Sequence, residues 1–133
     1  MRLAAGVLYK LHRPSTCELR VYLWGQGVKE AEAGPYEKVL ERLGIIHEGR
    51  HLASLGECVN LQGIAEDERV ARTIDAVKSR AAVIYQGTLK QEFNVTSKNV
   101  TLIGQPDFLV RTEKGYLVRD NRVGPAQFVD LAT

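Results

Sequence analysis

After Arg80 the apolar residues change from helical to extended spacing, and no other feature narrows the possible folds as much. Upstream, Arg13-Pro14-Ser15-Thr16 opens a short helical stretch through CELRVYLW to the Gly25-Gln26-Gly27 break, with Ser15 or Thr16 as its cap. Gly34-Pro35 starts a longer helix, PYEKVLERLGIIHEGRHLASLG, with proline at a favoured first-turn position and Gly56 at its end. Its apolar stripe is Tyr36, Val39, Leu40 and Leu43, and His47 continues that stripe one turn on. A short strand over 58–61 and an acid-fronted helix over 66–80 follow. Downstream, 82–89, then 100–103 with 108–110, then 116–118 are rich in β-formers. Helices first and a mainly antiparallel meander after them predict an α+β or mixed α/β domain, with a mixed, mostly antiparallel central sheet flanked by helices.

With 133 residues, 44% hydrophobic and 26% charged, the chain is sized for one domain that buries its own core, and its composition excludes a disordered segment. Residues 1–133 are therefore read as a single domain. No apolar run approaches the ~18–20 residues that span a bilayer, so no membrane partner is expected. The start reaches Lys10 too soon for a secretory signal, which predicts a cytoplasmic protein. Cys17 and Cys58 are too few for a disulfide framework or a four-cysteine metal site. Net charge is only +2, but residues 1–25 carry four basic and one acidic group, while residues 26–75 carry six basic and ten acidic. Residues 76–133 carry eight basic and five acidic, so a polyanion would dock on the two ends of the chain and avoid its middle. After 116–118 the chain hardly encodes a helix for the far side of the sheet, and a homo-oligomer burying that face is expected.

Two constellations could carry chemistry. HEGRH, His47 to His51, fits the zinc-protease pattern HExxH, in which both imidazoles share one helix face and Glu48 activates water. Gly49 lies mid-helix, however, and Ser54 and Glu57 stand where the longer form of that motif needs glycine and histidine. The competing reading makes His47 a core-edge residue and His51 a surface one.

The second constellation is the hairpin over 104–123. A two-residue Glu113-Lys114 loop pairs Thr112 with Gly115 and sets Asp107 directly opposite Asp120. A loop shifted by one sets Asp107 opposite Arg122, with Asp120 diagonal to it. In either register Asp107, Asp120 and Arg122 project from one side of the sheet. Facing carboxylates repel unless a cation lies between them, and a divalent metal with oxygen ligands would supply it. A three-residue loop would separate the two aspartates, leaving them as ordinary surface charges.

A histidine on a helix, then G-x-P-D, then a strand with D-x-(K/R), resembles the RecB-type nucleases of the PD-(D/E)XK superfamily. Ser15-x-Cys17-x-x-Arg20-x-Tyr22-Leu23 resembles the first helix of RecB-like and CRISPR-associated exonuclease relatives. Arg42-Leu43-Gly44 with His47-Glu48 and His51-Leu52 is similar to their histidine helix. Val83-Ile84-Tyr85-Gln86-Gly87 and Leu102-Ile103-Gly104-Gln105-Pro106-Asp107 resemble their core strands.

The resemblance implies a restriction-endonuclease-like core and metal-dependent hydrolysis of DNA, single-stranded DNA included. It implies Mg²⁺ or Mn²⁺ held by His47, Asp107, Asp120 and the backbone carbonyl of Asn121, with Asp107 and Asp120 catalytic. Arg122 stands where the family has a catalytic lysine, and an arginine holds phosphate but exchanges protons poorly. Arg20 is a candidate phosphate contact, or simply an exposed helix charge. The family's later glutamine- and tyrosine-bearing helix is missing, as though the C-terminal helices were truncated. The cysteines of its iron–sulfur members are missing too, and no such cluster is expected. Two other functions stay open: a catalytically degenerate nuclease fold that binds nucleic acid or assembles, and a zinc metalloprotease.

Overall fold

The computed structural model describes residues 1–9 and 17–120. They form a mixed α/β protein with mostly antiparallel sheets flanked by helices. The chain divides into two compact units, one of 1–32 with 88–105 and one of 33–87 with 106–133. Instead of the one central sheet expected, the strands form two. Between them Gln86 takes the left-handed conformation, at φ 56°, which ends one strand. Pro106, which cannot donate to a ladder, separates two others. Among the described residues no helix is long and apolar enough to cross a membrane.

The first unit holds β1 (Arg2–Ala4), α1 (Ala5–Tyr9), α2 (Glu18–Gly25), β4 (Leu89–Val95) and β5 (Lys98–Gly104). Its sheet runs β1-β5-β4, parallel between β1 and β5 and antiparallel between β5 and β4. Cys17 occupies the N-cap position of α2, so the expected caps Ser15 and Thr16 lie outside the described residues. β1 and β4 were not expected from the pattern. The turn joining β4 to β5 puts Thr96 and Ser97 at φ 46° and 62°. That geometry usually announces itself by Asn-Gly or Asp-Gly, and neither is present.

The second unit holds α3 (Pro35–Ser54), β2 (Val59–Asn60), α4 (Glu66–Lys78), β3 (Val83–Tyr85), β6 (Phe108–Thr112) and β7 (Gly115–Arg119). The Glu37 carboxylate accepts the Gly34 amide at 2.7 Å and closes the first turn of α3. The sheet order is β2-β3-β6-β7, parallel only between β2 and β3. Alternate residues of β3 and β6 are buried on opposite faces, which is why both strands read as continuous apolar runs. Ile84 and Leu109 pack with Leu61 and with Ala76 of α4. Val83, Tyr85 and Phe108 pack with Leu52 and Leu55 at the end of α3. Helices thus cover both faces of this sheet.

Gly87 packs closely: a Cβ there would lie 3.2 Å from Cγ2 of Thr73, a buried residue of α4. Phe108 is fully buried, with its ring centroid 5.0 Å from that of Tyr85 and 4.9 Å from that of His51. Phe108→Ala removes the shared contact of β3, β6 and α3 and is expected to cost about 3–5 kcal/mol. Urea denaturation at constant m-value reads that loss directly.

Candidate functional site

The site is built at one end of the second unit's sheet. β6 and β7 pair Thr112 with Gly115 across the Glu113-Lys114 loop and Phe108 with Arg119 at the far end. One step further along the same register, Asp107 faces Asp120. Of the alternatives open in the sequence, this is the two-residue loop. The Asp107 amide donates to Oδ1 of Asp120 at 3.4 Å, tying the two strand ends together. The Asp107 carbonyl accepts the Gln86 amide at 2.9 Å, which adds the end of β3 to the same cluster.

α3 closes the site from the helix side. Its Glu48 Oε1 accepts Nε2 of Gln86 at 2.6 Å. The Tyr85 hydroxyl also bonds to Glu48, and burial together with that carboxylate pushes its pKa up to about 12. Tyr85 therefore stays a neutral donor throughout the physiological range. Gln86 joins the parts: its backbone holds β6 and its side chain holds α3. A left-handed, non-glycine residue at such a junction is where strain is retained because surrounding contacts over-determine it.

One turn beyond His47 on α3, His51 stands edge-on to Phe108. Its Nε2 is buried and meets no hydrogen-bond partner among the described residues. Burial, then the positive charge of Arg119, then His47, hold its pKa below the usual 6.5. The folded protein thus keeps the ring neutral where the unfolded chain takes up a proton. Stability is expected to be flat above about pH 6.5 and to fall as the pH drops through 6.5 toward the lowered value. A melting-temperature series across that window checks it, and His51→Leu should flatten the acid limb.

The expected site residues are distributed unevenly. Asp107 and Asp120 are brought together. His47 is exposed, and no group of three or more His, Cys, Asp or Glu side chains among the described residues is arranged to hold a metal ion. Asn121 and Arg122 lie outside the described residues. Arg20 belongs to the other unit and pairs with Glu30 at 3.1 Å, with both Nε and Nη2 on the same carboxylate oxygen. Tyr85 and Gln86 were not anticipated as site residues, and Glu48 was considered only as the water-activating residue of the HExxH pattern, although each stands in a segment that attracted notice.

Fold and site together define a mixed α/β protein with an acidic strand end braced by a helix carboxylate. No family model, curated protein or solved structure matches the chain.

Proposed function

We propose that the chain is a metal-dependent phosphodiesterase acting on DNA, with a restriction-endonuclease-like core of the RecB type. The observation that carries this reading is Asp107 opposite Asp120 in the β6–β7 register, joined by the amide-to-carboxylate hydrogen bond. Two carboxylates brought to the same strand end offer oxygen donors of the kind that suit Mg²⁺ or Mn²⁺. Asp107 and Asp120 would hold the metal, with His47 and the Asn121 carbonyl as the further ligands that the family resemblance implies. A divalent ion held there would supply activation of water and neutralisation of charge developing on a phosphodiester.

The protein's own groups do the rest. Asp107 and Asp120 present fixed oxygen donors because both their strands end at the same level. Gln86 holds Asp107 through its backbone and keeps α3 against the sheet through Glu48. Tyr85, kept protonated, donates to Glu48 and does not compete as an anion. The same contacts argue against zinc proteolysis: Glu48 is engaged by Gln86 and Tyr85 rather than turned toward water between two histidines.

The deciding experiment incubates the chain with labelled single-stranded and duplex DNA in Mn²⁺ and, separately, in EDTA. Cleavage in Mn²⁺ alone is the expected result. DNA binding without cleavage by either the wild type or its Arg122→Lys variant would favour the inert binding module.

A further inference from the structure

The first unit contains a cavity of about 930 Å³ that belongs neither to the aspartate pair nor to the residues bracing it. Its walls come from β1 with the start of α1, from the end of α2 with the segment that follows, and from the end of β5. The shape of its middle wall follows from one helix terminus. Gly27, at φ 81°, ends α2 in a left-handed turn. The Gly27 amide bonds back to the Trp24 carbonyl at 2.9 Å, and the Val28 amide to the Leu23 carbonyl at 3.0 Å. This pair of bonds is the Schellman arrangement, and it folds the chain back so that Lys29 and Glu30 line the cavity beside Trp24.

The lining has a definite chemistry. Trp24 supplies a large half-buried aromatic ring, Arg2 and Lys29 supply positive charge, and Gln105 supplies an amide with donors and an acceptor. Among the described lining residues Glu30 is the acidic one, and Arg20 pairs with it at 3.1 Å. The lining thus combines an aromatic ring with two basic side chains against one acidic one. An indole offers a face for stacking, cations hold phosphate, and an amide reads a hydrogen-bonding edge. A ligand that presents an aromatic base and a phosphate at fixed spacing satisfies all three.

We propose that this cavity is a nucleotide-binding site in which a base stacks on Trp24 while its phosphate meets Lys29 and Arg2. The base and phosphate come either from a single strand of nucleic acid or from a free nucleotide. The inference goes beyond hydrolysis and does not depend on it, because binding here needs neither the aspartates nor a metal.

Trp24 is the only tryptophan of the chain, so intrinsic fluorescence reports on this cavity alone. The test titrates the full chain in EDTA with an oligo-deoxythymidylate of about ten nucleotides. Saturable quenching is expected, and deoxythymidine monophosphate alone separates the two sources: quenching by both means a free nucleotide suffices, quenching by the oligomer only means a strand. With a labelled oligomer, Trp24→Ala should weaken binding about 5- to 150-fold, the range set by losing one base–aromatic stack. Trp24→Tyr, which keeps a ring, should recover most of it. Lys29→Ala, on the exposed rim, should lower the slope of log affinity against log salt by about one. No quenching by either probe, or oligomer binding unchanged in Trp24→Ala, overturns the proposal. A chain that cleaves DNA in Mn²⁺ yet shows no quenching overturns the nucleotide site and leaves the hydrolytic reading standing.

Discussion

Asp120→Asn is expected to abolish Mn²⁺-dependent cleavage while leaving the fold about as stable as the wild type in EDTA. The substitution keeps a carbonyl oxygen that can still accept the Asp107 amide, so the β6–β7 end retains its hydrogen bond. It removes one of two like charges that face each other in the register. A change at one exposed cross-strand pair is worth at most about 1 kcal/mol to the folded state. The catalytic loss is far larger. Stabilising the charge that builds on a phosphodiester through a bound metal is worth several kcal/mol, so losing a carboxylate ligand should lower the rate on the order of 10³-fold or more. Two readouts separate the effects. Cleavage rate should collapse, and the rise in melting temperature that Mn²⁺ gives the wild type should vanish. A variant that still cleaves at the wild-type rate would remove Asp120 from the site.

The stability contrast matters because the same residues also serve the architecture. Asp107, Gln86 and Glu48 form one chain of hydrogen bonds from β6 through β3 to α3. Its central member lies at φ 56° and is followed by Gly87, which is pressed against Thr73. Changing Gln86 would therefore move two elements at once, whereas changing Asp120 at the exposed strand end isolates the chemistry.

How much of this could be read from the sequence differs from element to element, for physical reasons. α3 was legible because its two ends are marked by local chemistry: Gly34-Pro35 with the Glu37 carboxylate at the start, and Gly56, at φ 71°, at the close. The β6–β7 hairpin was legible as two apolar runs flanking a short polar segment, but its loop length was left open among three registers. The two-residue loop found in the structure is what places Asp107 against Asp120. Which face of α3 meets the sheet was not legible. The stripe Tyr36, Val39, Leu40 and Leu43 is exposed, while Glu48, His51, Leu52 and Leu55 turn toward the site and core. Only the last turns of this long helix pack on the short sheet, so apolar residues in its first half carry no information about orientation. Extending the stripe to His47 landed one residue, or about 100° of helical rotation, away from Glu48. β1 was hidden for a different reason. Its three residues acquire strand geometry only by pairing with β5, nearly a hundred positions away, which no local pattern encodes.

The second large effect turns on Arg122. Under the nuclease reading proposed above, a lysine would be expected two residues after the acidic ligand, where this chain has Arg122. A lysine amine can be tuned by its surroundings to give and take a proton near neutral pH, whereas a guanidinium stays charged at every relevant pH. Its planar fork can still grip a phosphate with two parallel hydrogen bonds, so substrate binding need not suffer. Proton transfer by a positioned side chain contributes about 10²–10⁴ in rate, or roughly 3–5 kcal/mol of barrier. Wild-type cleavage in Mn²⁺ is therefore expected to be slow, and Arg122→Lys to raise kcat by up to that factor with a smaller change in KM. Adding Asp120→Asn to the Arg122→Lys background should erase the gain, because a proton donor has nothing to assist once the metal ligand is gone. Such non-additivity is the mark of groups acting on one transition state. Brisk wild-type cleavage that slows in Arg122→Lys would overturn the assignment and mean that another group moves the proton. Absence of cleavage in both, with DNA still bound, would mean that the lost lysine was only one of several parts a degenerate nuclease fold has given up.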